Sequence, residues 1–406
     1  QARLVGSEMC IRDRPDFELP EHIRDAVKSA LDDKQTHYVD PQGILPLREA
    51  IAKQISETRG LNVSPDRVVV FPGGKPPIGL CQEAYCNPGD EVIYPSPGFP
   101  IYESFTGYVG ATPVPLHLPE EKGFAFSGED LEPLLTPNTK LIYLCFPSNP
   151  TGGVATREQL EGIAKVIMEK APADCRVYSD EIYEHILFDG EKHFSIASVP
   201  GMEERTVIAS GASKSYAWTG GRIGWAIFPT ASEAAVFKNL NINYFSCVAG
   251  YNQLGVKCAI ESPLTPPVVA KMVEAFQRRR DFVIPGLNEI PGVKCAMPKG
   301  AFYAFPNISG VCEQLGIFDA YESLPADMKK NSSPSTLFQM FLLFEHGVAT
   351  VDRKSFGRIG TEKLHYLRLS IANADDELRE GVSRIAAAAQ DRAGFEAWFA
   401  RGENLS

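Results

Sequence analysis

Residues 209–225 read ASGASKSYAWTGGRIGW and join two apolar runs, 206–210 (TVIAS) and 223–228 (IGWAIF), through a turn of small residues. Continuous apolar runs bounded by turn signals read as strands buried on both faces. Within the turn, Lys214 follows Ser210, Gly211, Ala212 and Ser213, and Arg222 stands in a second glycine-rich patch. A lysine held among small residues suits a Schiff base with an aldehyde, and an arginine nearby suits a phosphate on the same molecule. An ordinary surface lysine is the competing reading.

Working outward, the same pattern recurs. The runs 67–71 (RVVVF), 91–94 (EVIY), 140–146 (KLIYLCF) and 176–179 (RVYS) read as further buried strands. Helical spacing over 158–170, and a helix starting near Pro76, separate them. This predicts an α/β fold: a mostly parallel sheet with helices on both faces, and ligands held at the carboxyl ends of the strands. A smaller α/β region is expected from about residue 291, with strands at 301–305 and 365–371 and helices at 336–346 and 376–390. The polar, proline-punctuated stretch 312–335 reads as a lid or insertion. The expected division is therefore 15–43 as the N-terminal part of a small domain, 44–290 as a large domain, and 291–406 as the C-terminal small domain.

Composition bounds the function. A chain of 406 residues with 44% hydrophobic and 22% charged residues matches a soluble two-domain enzyme. Its net charge of −11 argues against nucleic acid and anionic membrane as general partners. No apolar run approaches the ~20 residues that span a bilayer. The nine cysteines include no CxxC and read as small hydrophobes in a reducing cytoplasm, with no metal site expected. Residues 1–14 lack an initiator Met, and GSEMCIRDR (6–14) resembles a translated sequencing scar, so the native chain is expected to begin near Pro15.

The remaining chemical signals follow the strands. FPGGK (71–75) is a strand-to-helix turn whose two glycines expose backbone N–H groups, as phosphate binding requires; an ordinary tight turn is the alternative. SNPTG (148–152) puts Asn149 at a strand edge, where its amide donates to a phenolate oxygen, although NP also simply initiates turns. SDEIY (179–183) ends a strand on Asp180, with Tyr183 expected one helical turn later. A carboxylate there keeps a pyridine nitrogen protonated, or else caps a helix. Arg368, inside the apolar run HYLRLSIAN (365–373), needs an anion: a structural ion pair or a substrate carboxylate. Arg353 and Lys354 read as solvated surface, with an acidic substrate side chain as the other option.

Taken in order, FPGGK, SNPTG, SDEIY, SKSYAWTGGRIGW and YLRLSIA resemble the fold-type I pyridoxal-phosphate aminotransferases of the class I/II, aspartate aminotransferase-like superfamily, over roughly residues 15–390. The resemblance implies pyridoxal 5'-phosphate on Lys214, which also acts as the proton-transferring base. It implies Asp180 at the ring nitrogen and Asn149 with Tyr183 at the phenolate oxygen. Backbone amides of Gly74 and Lys75, with Ser213 and Arg222, would hold the phosphate. Phe99 in SPGFPIY (96–102) would stack on the ring and, with Asn149, border the substrate. Arg368 would grip the substrate α-carboxylate. Tyr38, in YVDPQGILPLREAI (38–51), would cross a homodimer interface to the neighbouring site. The implied substrates are an L-amino acid, aspartate-like or of broad range, and a 2-oxo acid such as 2-oxoglutarate. A β-lyase or decarboxylase on the same fold stays open, as does a non-catalytic cofactor-binding regulator, which calls for an appended basic recognition region. Three departures stand out: Gly211 where the family often has serine, Phe99 where Trp or Tyr is common, and Asp13 of DRPDF in place of a substrate-contacting glycine.

Overall fold

The computed structural model describes residues 16–358 and 364–402. Seven strands form the main sheet: β1 Val68–Phe71, β2 Glu91–Ser96, β3 Thr112–His117, β4 Thr139–Cys145, β5 Arg176–Asp180, β6 Thr206–Gly211 and β7 Gly224–Ile227. Their order is β1-β7-β6-β5-β4-β2-β3. From β6 to β3 every pairing is parallel, and β7 alone runs antiparallel, to both β1 and β6. The sheet is mostly parallel, as the continuous apolar runs predict.

Both faces are covered, and alternation along the strands shows it. Val69 and Phe71 of β1, with Leu141, Tyr143 and Cys145 of β4, enter one core. Val68 and Val70 enter a second core, and Ile142 and Leu144 a third. β3 escapes the sequence reading because Pro113 and Pro115 interrupt it. It lies at the sheet edge, where a missing N–H costs no ladder bond.

A second sheet, β8 Tyr303–Ala304, β9 Val351–Asp352 and β10 Leu367–Ser370, has the order β8-β10-β9 and is antiparallel throughout. Helices Pro334–His346 and Asp375–Ala388 share a core with it. The expected lid at 312–335 is instead a packed helical layer. It takes in the end of helix Ser309–Gln314 and then helices Ile317–Ser323 and Ala326–Asn331. Cys312, Leu315, Ile317 and Leu324 are buried in the core, and the serines Ser332, Ser333 and Ser335 are buried as well. The eight described cysteines are free; Cys247 and Cys258 are half-buried and the other six buried. No helix among the described residues is long and apolar enough to cross a membrane.

One approach fixes the architecture near the β1 turn. Gly224 opens β7 and pairs with Phe71 on one side and Gly211 on the other. A Cβ on Gly224 would lie 2.5 Å from the Gly73 carbonyl carbon and 2.6 Å from the Gly74 nitrogen. Both are backbone atoms, which cannot swing aside as a side chain does. Gly224→Ala is expected to lose about 1–3 kcal/mol of stability through overpacking, read as a lower urea midpoint. A variant that unfolds at the parent's midpoint refutes this account of the turn.

Candidate active site

The carboxyl ends of β1, β2, β4, β5 and β6 surround a cavity of about 300 Å³. Gly74 and Lys75 reach it from the turn after β1, Phe99 from the loop after β2, and Asn149 from the loop after β4. Asp180 and Tyr183 come from the end of β5, and Ser213, Lys214 and Arg222 from the connection between β6 and β7. The sequence candidates thus converge, with two exceptions. Tyr38 is 87% exposed on the connection between helices Glu21–Asp32 and Leu45–Arg59, away from the cavity. Arg368 does not line the cavity but is joined to it through Asn149. Asp13 lies outside the described residues.

Lys214 sits on a single helical turn, Ala212–Ser215, that starts directly at the end of β6. Its ammonium lies 5.3 Å from the Phe302 ring centre and 5.7 Å from that of Tyr183. Asp180 is the last residue of β5 and is followed by a turn rather than a helix, so it caps nothing. Its Oδ2 accepts a hydrogen bond from Tyr102 Oη at 2.8 Å, and its Oδ1 accepts one from the Ile182 N–H at 3.3 Å. Burial pushes the Asp180 carboxyl up to about 6, against the pull of those two donors and of Lys214. Tyr183 therefore arrives through a hydrogen-bonded turn, and its hydroxyl shares a 2.7 Å hydrogen bond with that of Tyr303.

Arg368 Nη1 donates to Asn149 Oδ1 at 3.1 Å, with both side chains buried. The guanidinium is 4.6 Å from the Tyr303 ring centre and 5.2 Å from that of Phe356. At the opposite end, Arg222 takes a left-handed conformation (φ 51°) and donates to the carbonyls of Thr219 at 2.8 Å and Pro72 at 3.3 Å. Its fork lies over Gly73 (φ 101°), where a Cβ would come within 2.1 Å of Nη2. Only glycine fits this position on both grounds. Gly211 is extended, and a Cβ there would meet Gly224 Cα and the Ile223 carbonyl oxygen at 3.0 Å. The serine hydroxyl missing at this position is thus tied to the close entry of β7.

Arg353 and Lys354 correct the sequence reading. Arg353 is buried and donates to the Gly357 and Arg358 carbonyls at 2.9 and 2.8 Å and to Ser96 Oγ at 3.1 Å. Lys354 is half-buried and bonds the Ser332 carbonyl at 3.0 Å, with burial lowering its proton affinity. Neither is solvated surface, because backbone carbonyls meet both charges.

Sequence reasoning also missed a buried polar cluster behind the site. Arg59 donates to Glu181 Oε2 at 2.8 Å and also bonds Glu184. His193 shares a 2.8 Å bond with Glu181, and Ser210 donates to Glu184 at 2.6 Å. Burial alone would raise the Glu181 carboxyl, but His193 and Arg59 hold it well below the usual range. The two glutamates in SDEIYE, next to an apolar run, were the available signal.

This geometry matches known enzymes. The family described as aminotransferase class I and II matches residues 12–385. The chain belongs to that family. It is an enzyme that transfers amino groups between amino acids and 2-oxo acids. The aminotransferase is 38% identical over 374 residues to the aspartate aminotransferase of Streptomyces avermitilis, covering 91% of this chain and 86% of the relative. It is also similar to the crystal structure of the aromatic aminotransferase from Pyrococcus horikoshii, with 32% identity, a TM-score of 0.83 and 96% of each chain covered. The aspartate aminotransferase from Rhizobium meliloti gives 31% identity and a TM-score of 0.82, covering 93% and 90% of the two chains. These likenesses support the fold-type I assignment.

The raised Asp180 carboxyl of the aminotransferase has a thermodynamic sign. It titrates near 6 when folded against 3.8 in a free chain, so the folded state holds the proton more tightly. Stability conferred below pH 4 is lost as the pH rises through 6. Without cofactor, Asp180→Asn is expected to be more stable than the parent at pH 7 by roughly 1–3 kcal/mol, and equal to it near pH 4. Denaturant titrations at both pH values check this, and a gap that does not change with pH contradicts it.

Proposed function

We propose that this aminotransferase holds pyridoxal 5'-phosphate on Lys214 and works as a homodimer, with an L-amino acid as donor and a 2-oxo acid, such as 2-oxoglutarate, as acceptor. One observation carries the reading: a single cavity is lined by a carboxylate from the end of β5, Asp180, and an amine and a guanidinium from the connection between β6 and β7, Lys214 and Arg222. The residues fit the cofactor. A Cβ at Gly73 would lie 2.1 Å from Arg222 Nη2, so glycine there lets the guanidinium close down on the turn whose backbone N–H groups face the cavity, which suits a phosphate held by Gly74, Lys75, Ser213 and Arg222. A carboxyl pushed up to about 6 gains from a cationic partner, and a protonated ring nitrogen is one.

When bound, the cofactor supplies a sink for the electrons of a substrate Cα bond. The chain supplies everything else. Lys214 Nζ, poised at the end of β6, carries a proton to and from the reacting carbon. Asp180 keeps the ring nitrogen protonated, and Asn149 with Tyr183 hydrogen-bonds the ring oxygen. Phe99 covers the ring face. Arg368, held in place by Asn149, pairs with the substrate carboxylate through its planar fork. Tyr38 of the partner subunit completes the phosphate site in each half of the dimer. The small domain is assigned to 15–43 and 291–406, around a large domain of 44–290. Relatives named for aspartate and for aromatic amino acids support a donor range spanning both. Free thiols at all eight described cysteines suit a reducing cytoplasm.

The test is spectroscopic and catalytic. The purified protein with cofactor is expected to show a pH-dependent visible band that Lys214→Ala removes, with transamination falling roughly a thousandfold or more. A donor panel should yield glutamate from 2-oxoglutarate; pyruvate and ammonia in its place reject the reading. Arg368→Gln is expected to raise the KM for the donor by roughly tenfold or more, since a charge-assisted bond to the carboxylate is lost. Unchanged KM with reduced kcat removes Arg368 from that role.

A further inference from the structure

We propose that Tyr102 is a positioning residue of the cofactor site, whose hydroxyl sets the rotamer and basicity of Asp180 and through it the electron demand of the bound ring. The inference rests on the cofactor reading above.

Tyr102 lies on helix Ile101–Tyr108, three residues after Phe99, and its side chain is fully buried. It does not line the cavity, so it acts on the ring only through others. Its Oη donates to Asp180 Oδ2 at 2.8 Å. Two ring contacts and two hydrogen bonds to its backbone carbonyl hold this residue. It stacks on Tyr143, with ring centres 4.5 Å apart and planes 20° apart, and meets Phe99 edge-on at 5.9 Å. Its own carbonyl accepts from Gln82 Nε2 at 3.3 Å and Thr106 Oγ1 at 2.6 Å. The phenol is therefore locked between the candidate stacking residue and the candidate ring-nitrogen partner.

The direction of the bond follows from the surroundings. Burial and the neighbouring Asp180 and Cys145 push the Tyr102 phenol well above its ordinary range, so it stays protonated and donates. Cys145, paired with Asp180 across β4 and β5, is likewise pushed up to about 12 by burial and by Asp180, and stays neutral. The charged groups acting on Asp180 are then Glu181, which raises its proton affinity, and Lys214, which lowers it. Tyr178 and Tyr143 lie behind it as neutral phenols raised by burial. With Oδ2 committed to Tyr102 and Oδ1 to the Ile182 N–H, the carboxylate is oriented and only its remaining lone pairs face the cavity. A donor on a carboxylate lowers its basicity, which leaves the shared proton on the ring nitrogen rather than on the acid.

The experiment uses the holoenzyme and three proteins. Tyr102→Phe keeps the stack and removes one oxygen. Its cofactor band is expected to persist, but the midpoint of the band's pH titration should move up by roughly half a unit or more, because a less electron-poor ring leaves the lysine nitrogen more basic. Tyr102→His keeps an N–H donor and is expected to titrate with the parent. Phe at the parent's midpoint, or His shifted as far as Phe, overturns the assignment; if Phe does not fold, a shifted His decides the matter alone. A parent protein that shows no cofactor band at all defeats the cofactor reading instead, so the two failures are distinguishable.

Discussion

Two buried carboxylates behind the site, Glu181 and Glu184, set the constraint on which the rest of the structure turns. Taking two charges out of water costs several kcal/mol each unless they are met. Arg59, the last residue of helix Leu45–Arg59, meets both, and His193, Ser195, Ser179 and Ser210 complete the set. These contacts join an early helix, β5, β6 and the segment near residue 195 in one cluster. Strand alternation puts Ser179 and Glu181 on the face opposite Asp180. Satisfying the buried charges on one face therefore fixes where Asp180 points on the other, and Ser210 does the same for the turn bearing Lys214.

Much of this was legible in the sequence, and the particular failures are instructive. Strands β1, β4, β5 and β6 were readable because both faces are buried, which leaves a continuous apolar run. The antiparallel direction of β7 was not, since no local pattern records the direction of a neighbour. The 312–335 stretch misled because helices of six or seven residues show fewer than two turns of periodicity. Arg368 declared itself as a charge inside an apolar strand. Its partner Asn149 lies 219 residues away in the chain, and only the fold brings them together.

The misread charges share one cause. Composition treats Arg353 and Lys354 as solvated, yet Arg353 is met by backbone carbonyls of the loop after β9 and Lys354 by the Ser332 carbonyl, which only the fold brings near. Tyr102 was hidden for the opposite reason. An aromatic residue in an apolar helix reads as core, and core it is, with a single polar atom aimed at the functional carboxylate.

The free cysteines carry a last consequence. Burial raises the thiols of Cys86, Cys145, Cys175 and Cys295 to about 12 and that of Cys312 further still, so almost none of each is thiolate at neutral pH. Cys81 is buried and raised in the same way, so among the described residues the half-buried Cys247 and Cys258 are the thiols within reach of an alkylating probe, with burial raising that of Cys258 as well. Cys247 lies just past helix Ala231–Phe245 and Cys258 inside Gly250–Glu261, and these helices pack into different cores, so the two natural labelling points are on separate elements. A fluorophore can report there without an introduced residue and without entering the cavity that holds Lys214.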